Sequence, residues 1–453
     1  MKEIQPVLVL KNMSRKPQHI SISIALILTI LCATSHGGAP TIEVPCSFNP
    51  VGSGARAMGM GGAFIGIADD ATASSWNPAA LIHLKQHELS LVITHDSLIE
   101  NNQFDYYPES SGKEAISNLK INYLSGAYPY EFLGTNMVLA VSAQRLYSLK
   151  RQWQFPFHDQ NEIESFTANY TYEQTGDLYA MGLSWCMELL QPRLSLGVSI
   201  NYWEDGLIGD DWQGRIHLES QGNYNGPYIE TRDTIEWNSF DGWNANVGII
   251  WENSEKWRLG VVVKTPFNAD VHRKIQKTNS YQSASKTTQP TPESTFYKAS
   301  LEMPITYGLG ILYRCHENFY LAADFYETHW HHFLLRTDGN QTCPLSGQAR
   351  AEFQLDKTYQ VRIGGEYIWT HPVKRRLIPF RFGFFYDPMP SENNGDDVYG
   401  FSLGTGWTWL DQFSIDVAYQ FRYGNHVGEH YLPHLGFSQD IRESKIYFSL
   451  ILY

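Results

Sequence analysis

The sequence predicts an all-β protein, a 14-stranded antiparallel transmembrane β-barrel with an N-terminal hatch, or plug, in its lumen. Three observations predict it. From residue 87 onward apolar residues recur at every second position, the period of a strand with two unlike faces. The connections alternate between short turns and long polar segments, as outer-membrane barrels require and soluble sandwiches do not. A Gly/Ala-rich stretch without alternation precedes the first strand and follows an apolar leader. The expected organisation is a signal peptide over 1–35, a hatch over 36–86 and a barrel over 87–453.

The leader comes first. Lys11, Arg15 and Lys16 form a basic region ahead of the apolar run Ile20 to Leu31, which is too short to cross a bilayer as a helix. Ala33 to Ser35 supply the small residues of a cleavage site, and export follows. Met13 is an alternative start, and Cys32 lacks the small residue before it that lipidation needs. The chain carries 34 basic and 47 acidic residues, a formal charge of −13, with no basic run. Nucleic acid is thereby excluded as a partner, because it needs a basic footprint. Cys46, Cys186, Cys315 and Cys343 are scattered without CxxC spacing, so neither a zinc site nor a disulfide framework is expected. No cofactor is expected either.

The hatch stretch reads GARAMGMGGAFIGIADDATASSWNPAAL, Gly54 to Leu81. Its small side chains allow backbone to approach backbone inside a confined lumen. Asn77-Pro78 marks a turn, since proline steers the residue before it away from the helical region. Gly59, Gly61 and Gly62 faintly suggest a dinucleotide loop, but the strand before and helix after that such a loop needs are missing. Close packing is the reading retained.

The strands follow. RLSLGVSINYW sets Leu194, Leu196, Val198, Ile200 and Tyr202 against Ser195, Gly197, Ser199 and Asn201, and PITYGLGILYR and FSIDVAYQFRY alternate likewise. Fourteen such segments centre near residues 92, 123, 141, 184, 199, 247, 261, 309, 323, 362, 382, 404, 418 and 448. YEFLGT, LLQPR, WENSEK and THPVKR are short turns, expected on the periplasmic side. Segments 150–177, 205–240, 266–303 and 330–354 are long outer loops. Tyr, Trp and Phe near strand ends suit aromatic girdles at the two membrane interfaces. Lumen charges such as Arg258, Lys264, Arg362, Glu366, Asp416 and Arg422 are expected to pair along the wall. The chain stops in a strand ending on Tyr453, like barrels whose terminal aromatic is a membrane-insertion signal for the barrel assembly machinery.

Catalytic patterns are weak. HVGEH, His426 to His430, matches a metalloprotease spacing that requires a helix, yet Gly428 interrupts it and Pro433 and His434 follow in a loop. HWHHF (His329, His331, His332) suits a polar aromatic rim, and no GxSxG elbow occurs. The protein is not expected to be an enzyme.

The hatch stretch also resembles the amino-terminal hatch of the FadL/TodX family of outer-membrane transport proteins, through its glycine-rich turn, Ala68-Asp69-Asp70, and Asn77-Pro78-Ala79. The resemblance implies a monomeric barrel blocked by the hatch, which passes hydrophobic small molecules such as long-chain fatty acids and has outer-membrane lipid around it. It further implies that Gly59, Gly61, Gly62, Asp69, Asp70, Asn77, Pro78 and Ala79 serve as hatch structure and gating elements. Some members release ligand sideways through a gap at a kinked third strand. Here TNMVLAVSAQRLYSL has no Gly or Pro between Asn136 and Leu149, which argues against such a gap. The wording ARAMGMGGAF…WNPA is similar also to the PorV branch, whose role implies secretion-system proteins as partners instead.

Overall fold

The computed structural model describes residues 52–453 apart from 161–164, 191–192, 224–225, 338, 353, 372–375, 393–394, 410–411 and 433–434. The expected signal peptide, Cys46, Pro433 and His434 lie outside the described residues.

Fourteen strands form the wall: β1 (Glu88–Phe104), β2 (Gly112–Phe132), β3 (Thr135–Ser148), β4 (Asp177–Leu190), β5 (Leu194–Asp205), β6 (Pro227–Glu252) and β7 (Trp257–Lys264), then β8 (Thr306–His316), β9 (Phe319–Thr328), β10 (Thr358–His371), β11 (Arg376–Tyr386), β12 (Val398–Trp409), β13 (Phe413–Val427) and β14 (Phe437–Leu452). Each pairs antiparallel with the next. The ring closes where β1 meets β14, from Leu89↔Leu452 to Phe104↔Phe437. Closure removes the sheet edges whose unpaired amides lipid could not satisfy. All fourteen expected centres fall inside these strands.

Each strand keeps one apolar face outward. Leu183, Ile249, Leu309, Ile363, Phe384 and Leu403 are exposed on the wall, where lipid replaces water. Exposed aromatics bound this band at both ends. Trp243, Tyr307, Tyr359, Tyr399 and Tyr423 lie toward the long connections, and Trp251, Trp257, Tyr367, Trp369 and Trp407 toward the short ones. Tyr359 and Tyr367 are eight positions apart on β10, about 26 Å of strand or about 20 Å of membrane at the usual tilt.

The long outer loops are mostly strands. β6 runs 26 residues, beyond the span the wall uses. Its outer half pairs with Gln213–Asn223 on one side and Phe267–Ser283 on the other. The sheet continues through Ser165–Thr175 to Arg151–Gln160, and through Thr287–Met303 to Leu334–Thr337 and Asn340–Thr342. Water, not lipid, meets their outer face: Arg151–Gln160 and Ser165–Thr175 still bury Trp153, Phe155, Phe157, Phe166 and Tyr170 inward, whereas the outer part of Thr287–Met303 is exposed and polar on both faces.

Candidate functional site: hatch, outer cavity and wall seam

The hatch folds as α1 (Ala55–Gly59), α2 (Ala73–Trp76) and a 3₁₀ turn, Pro78–His83. Gly61 and Gly62, at φ 70° and 77°, turn the chain between α1 and the following loop, a conformation that L side chains resist. Asn77 is extended, and its side chain accepts from Ala79 N at 3.2 Å, while Pro78 occupies the first helical position. The NPA tripeptide is thus a helix start. Asp70 accepts from Thr72 N at 2.9 Å and Thr72 Oγ1 at 2.5 Å, fixing the entry to α2. Burial raises the Asp70 pKa, and nearby Arg56 opposes the rise.

Three pairs of wall glycines receive this backbone. Gly197↔Gly248, Gly260↔Gly310 and Gly364↔Gly383 are direct cross-strand partners on β5/β6, β7/β8 and β10/β11. A Cβ on Gly197 would lie 2.2 Å from Ala79 N, and one on Gly248 1.9 Å from Asn77 Oδ1. On Gly310 it would meet Ile65 Cβ at 2.5 Å, and on Gly383 Gly61 N at 2.2 Å. Any side chain there displaces the hatch. Gly59 faces Gly404 in the same way: a Cβ on it would lie 3.1 Å from the Gly404 Cα.

Polar groups bolt the seated backbone to the wall. Asp324 accepts from Phe64 N at 2.6 Å and Ile65 N at 2.9 Å. Arg362 donates to Gly61 O at 2.7 Å, and Ser402 Oγ donates to Gly59 O at 3.0 Å while accepting from Gly61 N at 2.8 Å. Ser449 accepts from Ala55 N at 2.7 Å, Tyr123 donates to Ala71 O at 2.8 Å, and Ser195 donates to Ala79 O at 3.0 Å. A buried charge network completes the seat. Arg56 reaches Glu366 at 2.9 Å and also pairs with half-exposed Asp69. Arg381 holds Glu366 at 2.6 Å and Asp416 at 2.5 Å. Arg258 pairs with Glu252, Arg362 with Asp387, and Arg422 with Asp387 and Glu443, so these lumen charges pair as expected. At the foot of the hatch His83 is held neutral: burial, reinforced by Arg258, lowers its pKa to about 3. Glu252 stands 3.7 Å from it but is committed to Arg258 at 2.9 Å.

Farther out, the lumen is filled by side chains. Leu146, Leu178, Trp203, Phe240, Trp330 and Phe333 belong to one apolar core. Phe104, Trp153, Phe155, Tyr431 and Phe437 form an aromatic cluster, with Arg151 stacked 4.2 Å from the Trp153 ring centre and ion-paired to Glu100 at 2.9 Å. Beside the cluster lies a cavity of about 120 Å³ between β1, β14 and the outer ends of β2 and β3. Leu98, Ile116, Leu345, Met389, Pro390 and Ile441 make its apolar side.

The wall has a seam at that cavity. The β2–β3 ladder runs from Phe132↔Thr135 only to Tyr123↔Gln144. Among the described residues, 112–121 of β2 pair with β1 alone and 145–148 of β3 with β4 alone. Both flanking ladders shift register here, at Val92/Ile93 and at Arg145/Tyr147. The third strand holds neither glycine nor proline between Asn136 and Leu149, yet its ladder with β2 is interrupted. A β-bulge needs neither, since it inserts one ordinary residue into one strand. Side chains bridge the seam instead: Lys120 to Asp177 at 3.4 Å and Asp210 at 2.8 Å, Tyr179 hydroxyl to Ile121 O at 3.3 Å, and Lys150 to Ser117 O at 3.1 Å. Buried Arg145 ties Asp96, Asn122 and Asp177 together just inside.

The remaining motifs are accounted for by loops. HVGEH is not helical: His426 has φ 56°, its ring contacts Glu429 at 3.0 Å, and His430 packs on Tyr431. His329 and Glu327 pair at 2.9 Å beside a 3₁₀ turn at Trp330–His332. Among the described residues no His/Cys/Asp/Glu group has the geometry of a metal site, and Cys186, Cys315 and Cys343 are free thiols. Tyr453 follows β14, and its amide donates to Gln412 O at 2.9 Å.

Comparison with known proteins agrees with this architecture. A Pseudomonas aeruginosa FadL homologue superposes with TM-score 0.59 at 14% identity, over 91% of this chain and 98% of its own. The monoaromatic hydrocarbon channel CymD gives 0.55 at 14% identity over 89% and 98%. The Pseudomonas putida toluene transporter TodX gives 0.54 at 10% identity over 91% and 99%. At these identities the likeness shows the fold. No curated protein matches the chain. The family model described as outer membrane protein transport protein (OMPP1/FadL/TodX) matches residues 46–430, and the chain therefore belongs to that family of outer-membrane β-barrels.

Proposed function

We propose that this barrel carries small hydrophobic compounds across the polar outer leaflet, taking them into the outer cavity and releasing them sideways through the β2–β3 seam while the hatch seals the lumen. The observation that carries the reading is that Ile116 and Asn118 of β2 and Ser148 of β3 line the cavity and flank the unpaired stretch of wall. A ligand there stands between the lumen and the membrane. Each CH₂ it buries contributes about 0.8 kcal/mol, so an apolar surface is drawn out of water without chemistry.

Size selects the ligand. A cavity of about 120 Å³ is near the roughly 150 Å³ engineered void that holds benzene. A long-chain fatty acid, which the family resemblance implies first, needs more room than this state offers, so a ring-sized molecule is the preferred cargo. Solved neighbours described as a monoaromatic hydrocarbon channel and a toluene transporter support that class. They favour passage over the docking of secretion-system partners. Gly59, Gly61, Gly62, Asp69, Asp70, Asn77, Pro78 and Ala79 then act as the seal, and hatch movement is the competing gate. Tyr453 keeps its proposed role as insertion signal, and Tyr453→Ala is expected to lower the amount of folded barrel in outer membranes.

The test is uptake of labelled toluene and hexadecanoate by proteoliposomes containing the full chain, with and without Asn77→Ala. Toluene uptake above that of empty vesicles supports the reading. Uptake of hexadecanoate alone, appearing only in the variant, would replace it with a hatch-gated lipid route.

A further inference from the structure

One wall of the outer cavity is built by facing positions of β1 and β14. β1 presents Asp96, Leu98 and Glu100 to it, and β14 presents Gln439, Ile441, Glu443 and Lys445. The next inward position on β1 is Asn102, which stands directly opposite Gln439 in the ladder. Partners so placed bring their Cβ atoms within about 5.5 Å. Both residues are buried, at 0% and 1% exposure. Neither amide has a hydrogen-bond partner in the protein, at nitrogen or at oxygen. Buried polar groups are nearly always partnered, so two open amides side by side at a cavity's edge need an explanation.

The charges nearby narrow what could satisfy them. Arg151 is paired with Glu100 at 2.9 Å, Lys445 with Glu443 at 2.9 Å, and Arg422 with Glu443 at 3.5 Å. A carboxylate ligand would meet Asp96, Glu100 and Glu443 while every one of these cations already holds an acid. An amide offers both a donor and an acceptor, and a hydroxyl matches both at once.

We propose that Asn102 and Gln439 form the polar end of a binding site in the outer cavity, one that takes a ring-sized hydrophobe bearing a neutral hydroxyl, such as a phenol or aromatic alcohol. The inference rests on the reading of the barrel as a passage for small hydrophobes and adds the substrate class.

Toluene and phenol test it, being nearly equal in size with a methyl exchanged for a hydroxyl. Phenol stays un-ionised at neutral pH because an aromatic hydroxyl titrates near about 10. Equilibrium binding of both, and of benzoate, is measured on the detergent-purified full chain and on Gln439→Met and Asn102→Leu. The ratio of phenol to toluene affinity is expected to fall about tenfold in each variant, or about 1.4 kcal/mol. Thermal stability should not drop, since replacing unpartnered amides by apolar groups relieves a cost. A ratio within about twofold of wild type in both variants overturns the polar subsite alone, as does wild-type preference for benzoate over phenol. The benzoate comparison needs no variant, so it decides even where one fails to assemble. A wild-type protein that binds neither toluene nor phenol overturns the passage reading and this inference with it.

Discussion

The hatch and the β2–β3 seam are the two places where this wall could be passed, and they are held by different kinds of bond. The hatch lies main chain on main chain against glycine pairs and is bolted by buried groups such as Asp324, Arg362 and Glu366. The seam lacks ladder bonds: its outer stretch is bridged by Lys120 to Asp210, which is 64% exposed, while buried Arg145 ties β3 to Asp96 and Asn122 at its inner end. Breaking a buried pair costs about 3–5 kcal/mol, whereas exposed pairs contribute about 0–1 kcal/mol. Parting the outer stretch of the seam, beyond the buried Arg145 network, therefore costs less than lifting the hatch. A wall can be rigid through most of its circumference and still be easily parted at one joint.

The strongest way to break this comparison is Glu366→Leu, which strands Arg56 and Arg381 in the lumen without their shared acid. A loss of about 3–5 kcal/mol is expected in denaturant unfolding, and a loss below about 1 kcal/mol would mean that the seat is weak. Gly383→Ala places a Cβ 2.2 Å from Gly61 N. It should cost about 1–3 kcal/mol by overpacking and raise leakage of small hydrophilic dyes, because the seal is displaced. An unchanged leak would show that the hatch tolerates movement.

Acid should loosen the hatch foot. The pKa of His83 is lowered to about 3 in the folded barrel, against about 6.5 in the unfolded chain. The unfolded state alone gains the proton between these values, so stability falls as pH drops from about 6.5 toward 3, by roughly 2 kcal/mol at pH 5. His83→Gln should flatten that part of the pH profile, and a slope equal to wild type would acquit the histidine. The smallest effect on stability, under about 1 kcal/mol, is expected for Lys120→Cys with Asp210→Cys. The same variant sharpens the comparison most. Joining the two thiols with a short bis-maleimide should abolish toluene uptake, whereas uptake through a tethered seam would return the passage to the hatch.

The fourteen strands were legible because lipid on one face and lumen on the other imposed alternation on each, as in RLSLGVSINYW. The hatch was legible from glycine and alanine density and from Asn77-Pro78. The glycine pairs were not. Gly197 and Gly248 meet only because the β5–β6 register sets them opposite, and register is not written locally. The seam was hidden for a related reason: its bulges use ordinary residues such as Asn122 and Leu146. The outer strands escaped because a segment such as TTQPTPESTFYK has polar residues on both faces. Asn102 and Gln439 look unremarked in sequence, and only the pairing of the first strand with the last makes them neighbours.

The hydrogen bond from Ala55 N to Ser449 Oγ spans 394 positions of the chain. It cannot form until the final strand has arrived, yet Ile65, a little farther along the hatch, lies against Gly260 and Gly310 of the middle strands. The hatch is thus a mandrel around which the wall is wound. Residues made first wait, unsatisfied, for those made last, and such long-range closure is intrinsically slow. A barrel of this design matures in one late event, with its interior finished only at the moment its circumference is.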